Sequence, residues 1–111
     1  MTYEEVVHIA REVFENADAR MIFEHIAIQV NIVGEGSGVF YIEVADRNIC
    51  VEPYDYVDRD GLVTTDAQTI VALLNGKTTF EQAMKEKRFT YQGNPNKFKS
   101  FRANVILPEP K

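Results

Sequence analysis

The stretch Leu73-Leu74-Asn75-Gly76-Lys77-Thr78-Thr79-Phe80-Glu81-Gln82-Ala83-Met84-Lys85-Glu86-Lys87-Arg88-Phe89-Thr90-Tyr91-Gln92-Gly93-Asn94 decides how the chain reads. Gly76 ends an apolar helical pattern, because glycine tolerates the left-handed conformation that closes a helix. Thr78, followed three residues later by Glu81, has the form of a capping box. It predicts a helix over about 79–87 with Phe80, Ala83 and Met84 inward. Phe89-Thr90-Tyr91 then reads as a short strand. Asn94 with Pro95 pairs a cap residue with proline at the first helical position. The last helix that follows carries Phe98, Phe101 and Val105 on one side.

Upstream, Asp60-Gly61 leads into a short strand, Leu62-Val63-Thr64. Thr65 with Gln68 looks like a helix start, and Ala67, Ile70, Val71, Leu73 and Leu74 form that helix's apolar stripe. Ile26, Ile28, Val30 and Ile32 alternate with Ala27, Gln29 and Asn31, the period of a half-buried strand. Residues 34–38 are glycine-rich and predict a hairpin turn into a second strand with Phe40, Ile42 and Val44 on one face. A third strand covers 49–52 and extends to 54–57, and Pro53 makes it an edge or interrupted strand. At the start, Tyr3, Val6, Val7, Ala10, Val13, Phe14 and Ala17 form one helical stripe over about residues 2–16, with Thr2 and Glu5 as a capping box. The order is helix, three-strand meander, strand, two helices, strand, helix. That is an α+β domain, one sheet with helices packed on one face.

The chain has 111 residues, 45% apolar and 26% charged. This allows one globular domain over 1–111, with 106–111 expected as a loose tail. No apolar run approaches the length of a membrane-spanning helix. The acidic N-terminus lacks the pattern of a secretion signal. Cys50 is the only cysteine, so there is no internal disulfide or cysteine zinc cluster, and a reducing cytoplasm is the simplest compartment. The net charge of −5 argues against general nucleic-acid binding. Residues 1–66 hold 4 basic and 14 acidic side chains, residues 67–111 hold 8 and 3. Either the two parts neutralise each other in the fold, or the C-terminal part presents a basic face to an anionic ligand or lipid surface.

Several partial motifs fail. Gly34, Gly36 and Gly38 lack the third glycine of a dinucleotide loop and lead into a strand pattern. Asp58-Arg59-Asp60-Gly61 would place Tyr56 and Ala67 at the outer ligand positions of a calcium loop. Adventitious cation binding by Glu52, Asp55, Asp58 and Asp60 is the weaker reading, a solvated acidic edge the stronger. Glu5-Val6-Val7-His8 has di-iron spacing, but His25 is the only other histidine. His8 between Glu4 and Glu12 reads as an exposed helix pair. Cys50 with His25 is the one nucleophile pair available, and a small packed strand residue is the simpler account of that thiol. No catalytic residue, metal ligand or cofactor is assigned.

Large apolar residues are abundant instead, and from the helix at 73 onward their arrangement resembles the sterol carrier protein (nonspecific lipid-transfer) family. The likeness is carried by Leu73-Leu74-Asn75-Gly76-Lys77, Phe80, Ala83-Met84 and Arg88-Phe89-Thr90-Tyr91-Gln92-Gly93-Asn94. Order and length agree over roughly residues 1–105. The chain departs from the family in having Lys87 where glycine usually precedes the basic strand. It also has Met84 where an aromatic is common, and an acidic, tyrosine-rich segment at 52–58. The resemblance implies a five-stranded mixed sheet with an apolar tunnel between sheet and helices, holding a lipid or fatty-acyl ligand without catalysis. Ile70, Leu74, Phe80, Met84, Phe98, Phe101 and Val105 are then expected to line the tunnel from the helices, with Val13 and Phe14 closing one end. Ile28, Val30, Phe40 and Ile42 would form its floor. Lys97, Lys99 and Arg102 would meet a head group or an anionic membrane. The competing reading is a non-catalytic interaction module of the same fold with a closed tunnel.

Overall fold

A computed structural model of the chain describes residues 1–108. In chain order the elements are α1 (Tyr3–Glu15), β1 (Ile26–Val33), β2 (Gly38–Ala45), β3 (Asn48–Glu52), β4 (Gly61–Asp66), α2 (Ala67–Leu74), α3 (Phe80–Lys85), β5 (Phe89–Gly93) and α4 (Pro95–Asn104). The strands form one mixed sheet in the order β3-β2-β1-β4-β5. β1, β2 and β3 are the expected antiparallel meander. β4 joins the free edge of β1 in parallel, and β5 pairs antiparallel with β4.

Alternation places the apolar half of each strand on the helix side. Register aligns Val30 with Phe40 and Val63, and Ile42 with Ile28 and Val51. All six are buried. The helices answer with Val6, Val7, Ala10 and Phe14 of α1, Ile70, Leu73 and Leu74 of α2, and Phe98 and Phe101 of α4. β3 stops at Glu52, ahead of Pro53, which has no N–H to give a ladder. Residues 54–57, expected to continue that strand, instead belong to a connection running from the sheet edge to β4.

Helix caps follow local chemistry with two shifts. Thr2 and Glu5 form the expected reciprocal box on α1, and Asn94 caps α4 by accepting from Asn96 and Lys97 N–H. α2 is capped by Asp66 rather than Thr65, its carboxylate accepting from Thr69 N–H at 2.7 Å. Thr65 is still in β4, buried, its hydroxyl donating to Arg88 O at 2.7 Å. α3 is capped by Thr79, one residue later than expected, through Gln82 N–H at 3.1 Å. α3 is also shorter than expected. It buries only Ala83, and Met84, read as inward, is 38% exposed.

α2 and α3 end in the same way. Gly76 N–H bonds Leu73 O and Lys77 N–H bonds Ala72 O; Lys87 N–H bonds Met84 O and Arg88 N–H bonds Ala83 O. Both are Schellman closures, which put one residue in the left-handed region. Gly76 takes it at φ +72°, but in α3 the residue is Lys87 at φ +61°. An L-residue there costs about 1–2 kcal/mol. Lys87→Gly is therefore expected to raise stability by about 0.5–1 kcal/mol, after the entropy glycine loses on folding. A urea midpoint at or below that of the parent chain would contradict this.

The tail is held where it begins. Ile106 and Asp18 exchange both backbone hydrogen bonds, at 2.8 and 2.9 Å, and Leu107 packs on the core. Residues 109–111 of the expected loose tail lie outside the described residues.

Candidate functional site

An apolar cavity of about 140 Å³ lies between sheet and helices. Ile28, Val30, Ile42, Val63 and Phe89 rise from the sheet to form its floor. Ile70, Leu73 and Leu74 of α2 and Phe98, Phe101 and Arg102 of α4 form the opposite wall. Phe14, Phe80, Val105 and Leu107 complete the lining. Rings brace the helices against one another and the sheet: Phe14 meets Phe101 at 5.9 Å between centroids, and Phe80 meets Phe89 at 5.3 Å. Gly61 lets the Tyr91 ring lie against β4, since a Cβ there would stand 2.1 Å from the Tyr91 hydroxyl oxygen. That ring stacks on Phe98 at 4.1 Å and holds α4 in place.

Ten of the thirteen apolar residues singled out from the sequence face this cavity: Phe14, Ile28, Val30, Ile42, Ile70, Leu74, Phe80, Phe98, Phe101 and Val105. Three do not. Phe40 is on the correct sheet face but sealed in solid core at 0% exposure. Val13 packs partly buried against the core, off the cavity wall. Met84 lies in an open groove outside α3 and α4, lined also by Tyr91, Pro95, Lys99 and Ala103. Val63, Leu73, Phe89 and Leu107 were not singled out. Val63 and Phe89 sit in strands too short for a periodic signal.

The groove and the cavity share Phe80, Phe98 and Arg102 as walls. The Arg102 guanidinium lies 4.8 Å from the Phe80 centroid and 5.7 Å from that of Phe98, and it pairs with Glu81. Lys99 lines the groove. Lys97 is engaged elsewhere: its Nζ donates to His25 O at 2.6 Å and stands 3.9 Å from Glu24. Arg88, 3.8 Å from Asp66, likewise meets an acid of the N-terminal part, so the two charge excesses partly neutralise each other.

The opposite sheet face carries a polar cluster that sequence reading missed. Residues 53–60 bring Tyr56 over β1 and β2, its N–H donating to Gln29 Oε1 at 3.0 Å. The Tyr56 hydroxyl donates to Glu43 Oε2 at 2.9 Å, and His25 Nε2 approaches the same oxygen at 2.6 Å. The His25 bond is the main reason the Glu43 carboxyl is held below its usual range, with the Tyr56 hydroxyl adding to it. Burial and then Glu43 push the Cys50 thiol up, the reverse of an activated nucleophile. Asp60 accepts Ala27 N–H at 2.8 Å, and Glu52 faces Arg11 at 3.4 Å, so each has a partner within the fold. Among the described residues, no three His, Cys, Asp or Glu side chains converge on a metal position.

Tyr56 is pushed up to about 12, chiefly by its bond to Glu43. A raised folded value means the neutral phenol is favoured by folding. Its contribution is whole below about pH 10 and is lost as pH rises toward about 12. The stability difference between the parent chain and Tyr56→Phe is thus expected to narrow across that window, in urea melts at pH 8 to 12. A difference constant with pH would refute the link.

No protein-family model matches the sequence, and no curated protein matches it. The solved structures do show the fold, which is that of sterol carrier proteins. UbiJ-SCP2, a ubiquinone synthesis protein, superposes with a TM-score of 0.66 at 15% identity, over 91% of this chain and 90% of its own. Sterol Carrier Protein 2 Like 2 from Aedes aegypti gives 0.60 at 17%, over 90% and 89%. The fold also matches part of a larger enzyme, the inverting sec-alkylsulfatase Pisa1 from Pseudomonas sp., at 0.63 and 12%, where the chain spans only 14% of that protein's length. Among the described residues, no helix is long and apolar enough to cross a membrane.

Proposed function

We propose that the chain, as a single domain over 1–111, binds and carries a lipid or fatty-acyl molecule without catalysing a reaction on it. The observation that carries this reading is the apolar cavity, walled by side chains of both sheet and helices and sharing Phe80, Phe98 and Arg102 with an outer groove. Hiding a chain from water is worth about 0.8 kcal/mol per methylene, and a membrane hides it equally well. Exchange with a bilayer is then nearly neutral, and no metal or cofactor is needed. The reading places the protein in the cytoplasm, with transient contact to an anionic membrane surface and no nucleic-acid partner.

Size bears on the ligand. An apolar cavity of about 150 Å³ holds a benzene, whereas ligand pockets usually run to about 300–1,000 Å³. A long chain therefore needs the wall to move. α3 is the element suited to move, since it buries only Ala83. The same volume supports the second reading, an accessory module whose closed cavity takes no ligand.

Native mass spectrometry of freshly purified protein, followed by organic extraction, separates the two. A co-purified lipid near one per chain supports the carrier. An empty protein whose melting temperature ignores fatty acid, acyl-CoA, sterol and ubiquinone supports the closed module, because a ligand that binds only the native state must stabilise it.

A further inference from the structure

We propose that the site selects single-chain lipids with a carboxylate-type anionic head, and that Glu81 is the built-in occupant of the head-group position. This rests on the lipid-binding reading and goes beyond it by naming the head chemistry.

Among the described residues, Arg102 is the only charged side chain on the cavity wall. It also lines the outer groove, as does Lys99. Its guanidinium is already set for an anion, lying on the faces of Phe80 and Phe98. A guanidinium presents several N–H donors and grips a carboxylate side-on. The carboxylate now there belongs to Glu81. The two partners are unequally held: the Arg102 side chain is 30% exposed and Glu81 72%. Exposed ion pairs are weak. Glu81 can swing into water at little cost and leave Arg102 in position. An entering carboxylate whose chain fills the cavity takes its place and preserves the charge balance. An uncharged head finds the Arg102–Glu81 pair intact and gains nothing from it. A cationic head meets Arg102 and Lys99 and is repelled.

The test compares decanoate with 1-decanol, equal in chain and different in head, by calorimetric titration at pH 8. The parent chain is expected to prefer decanoate about tenfold, the value of one partly exposed charge-assisted contact. Glu81→Gln removes the competitor and should tighten decanoate severalfold with decanol unchanged. Arg102→Gln should weaken decanoate about tenfold and abolish the preference, whereas Arg102→Lys, which keeps the charge but loses the planar fork, should retain only part of it. Equal loss of both ligands in Arg102→Gln would mean that Arg102 only packs against the rings, and would overturn the proposal. So would a parent chain without head preference, or a Glu81→Gln variant with unchanged decanoate affinity. Binding of neither ligand by the parent chain overturns this inference, and the lipid-binding reading falls with it when fatty acid, acyl-CoA, sterol and ubiquinone also leave the melting temperature unchanged.

Discussion

Val63→Phe should abolish decanoate uptake while leaving the fold intact. Val63 rises from the middle of β4 into the cavity and is 3% exposed. The cavity holds about 140 Å³, close to the size of an apolar void that takes one benzene. A phenyl ring on this strand position occupies the space itself. Displacing about four methylenes of ligand from it forfeits about 3 kcal/mol, more than a hundredfold in affinity. Filling a void offsets much of the strain of the larger side chain, so the unfolding free energy from urea melts should stay within about 1 kcal/mol of the parent. Undiminished decanoate binding in a folded variant would place the ligand in the outer groove and reject the cavity as its seat.

The largest effect on folding is expected at Phe40. Its side chain is fully buried and pairs across the sheet with Val30. Phe40→Ala should destabilise the chain by about 3–5 kcal/mol, through lost burial and the void left behind. A domain of this size commonly holds only about 5–15 kcal/mol in total. The variant should therefore unfold at much lower urea, and a partly unfolded baseline at 37 °C is the sign to look for. A loss below about 1 kcal/mol would mean that neighbouring side chains collapse into the space. Comparing the two variants separates residues that build the core from residues that shape its cavity.

Much of this was legible in the sequence because it is local. The Thr2–Glu5 box, the Asn94–Pro95 start and the stop at Gly76 depend on neighbours a few residues away, and the structure keeps all three. Thr65 and Thr78 misled by one residue for a tertiary reason and a local one. The pairing of β4 with β5 holds Thr65 in the sheet, so Asp66 becomes the cap, while Thr79 directly precedes α3. Met84 was misplaced because α3 turns only Ala83 fully into the core and leaves Met84 beside it on the outer side. Alternation put Phe40 on the correct face, but which part of an apolar face meets solid packing and which meets a void depends on where the helices land. The His25–Glu43–Tyr56 cluster joins three separate segments, and only the route of residues 53–60 brings them together.

That route also bears on how the chain is made. Synthesis delivers β1, β2 and β3 as a local meander, with every contact close in sequence. The other edge of β1 stays open until β4 arrives, because its parallel partner starts only at Gly61. During this interval the strand Ile26–Val33 offers unpaired amides and carbonyls beside an uncovered apolar face. Growing chains in this state are the ones prone to join each other. Tyr56, bonded to Gln29 of β1 and Glu43 of β2, reaches the meander before β4 does and tethers the incoming strand to the edge it must close.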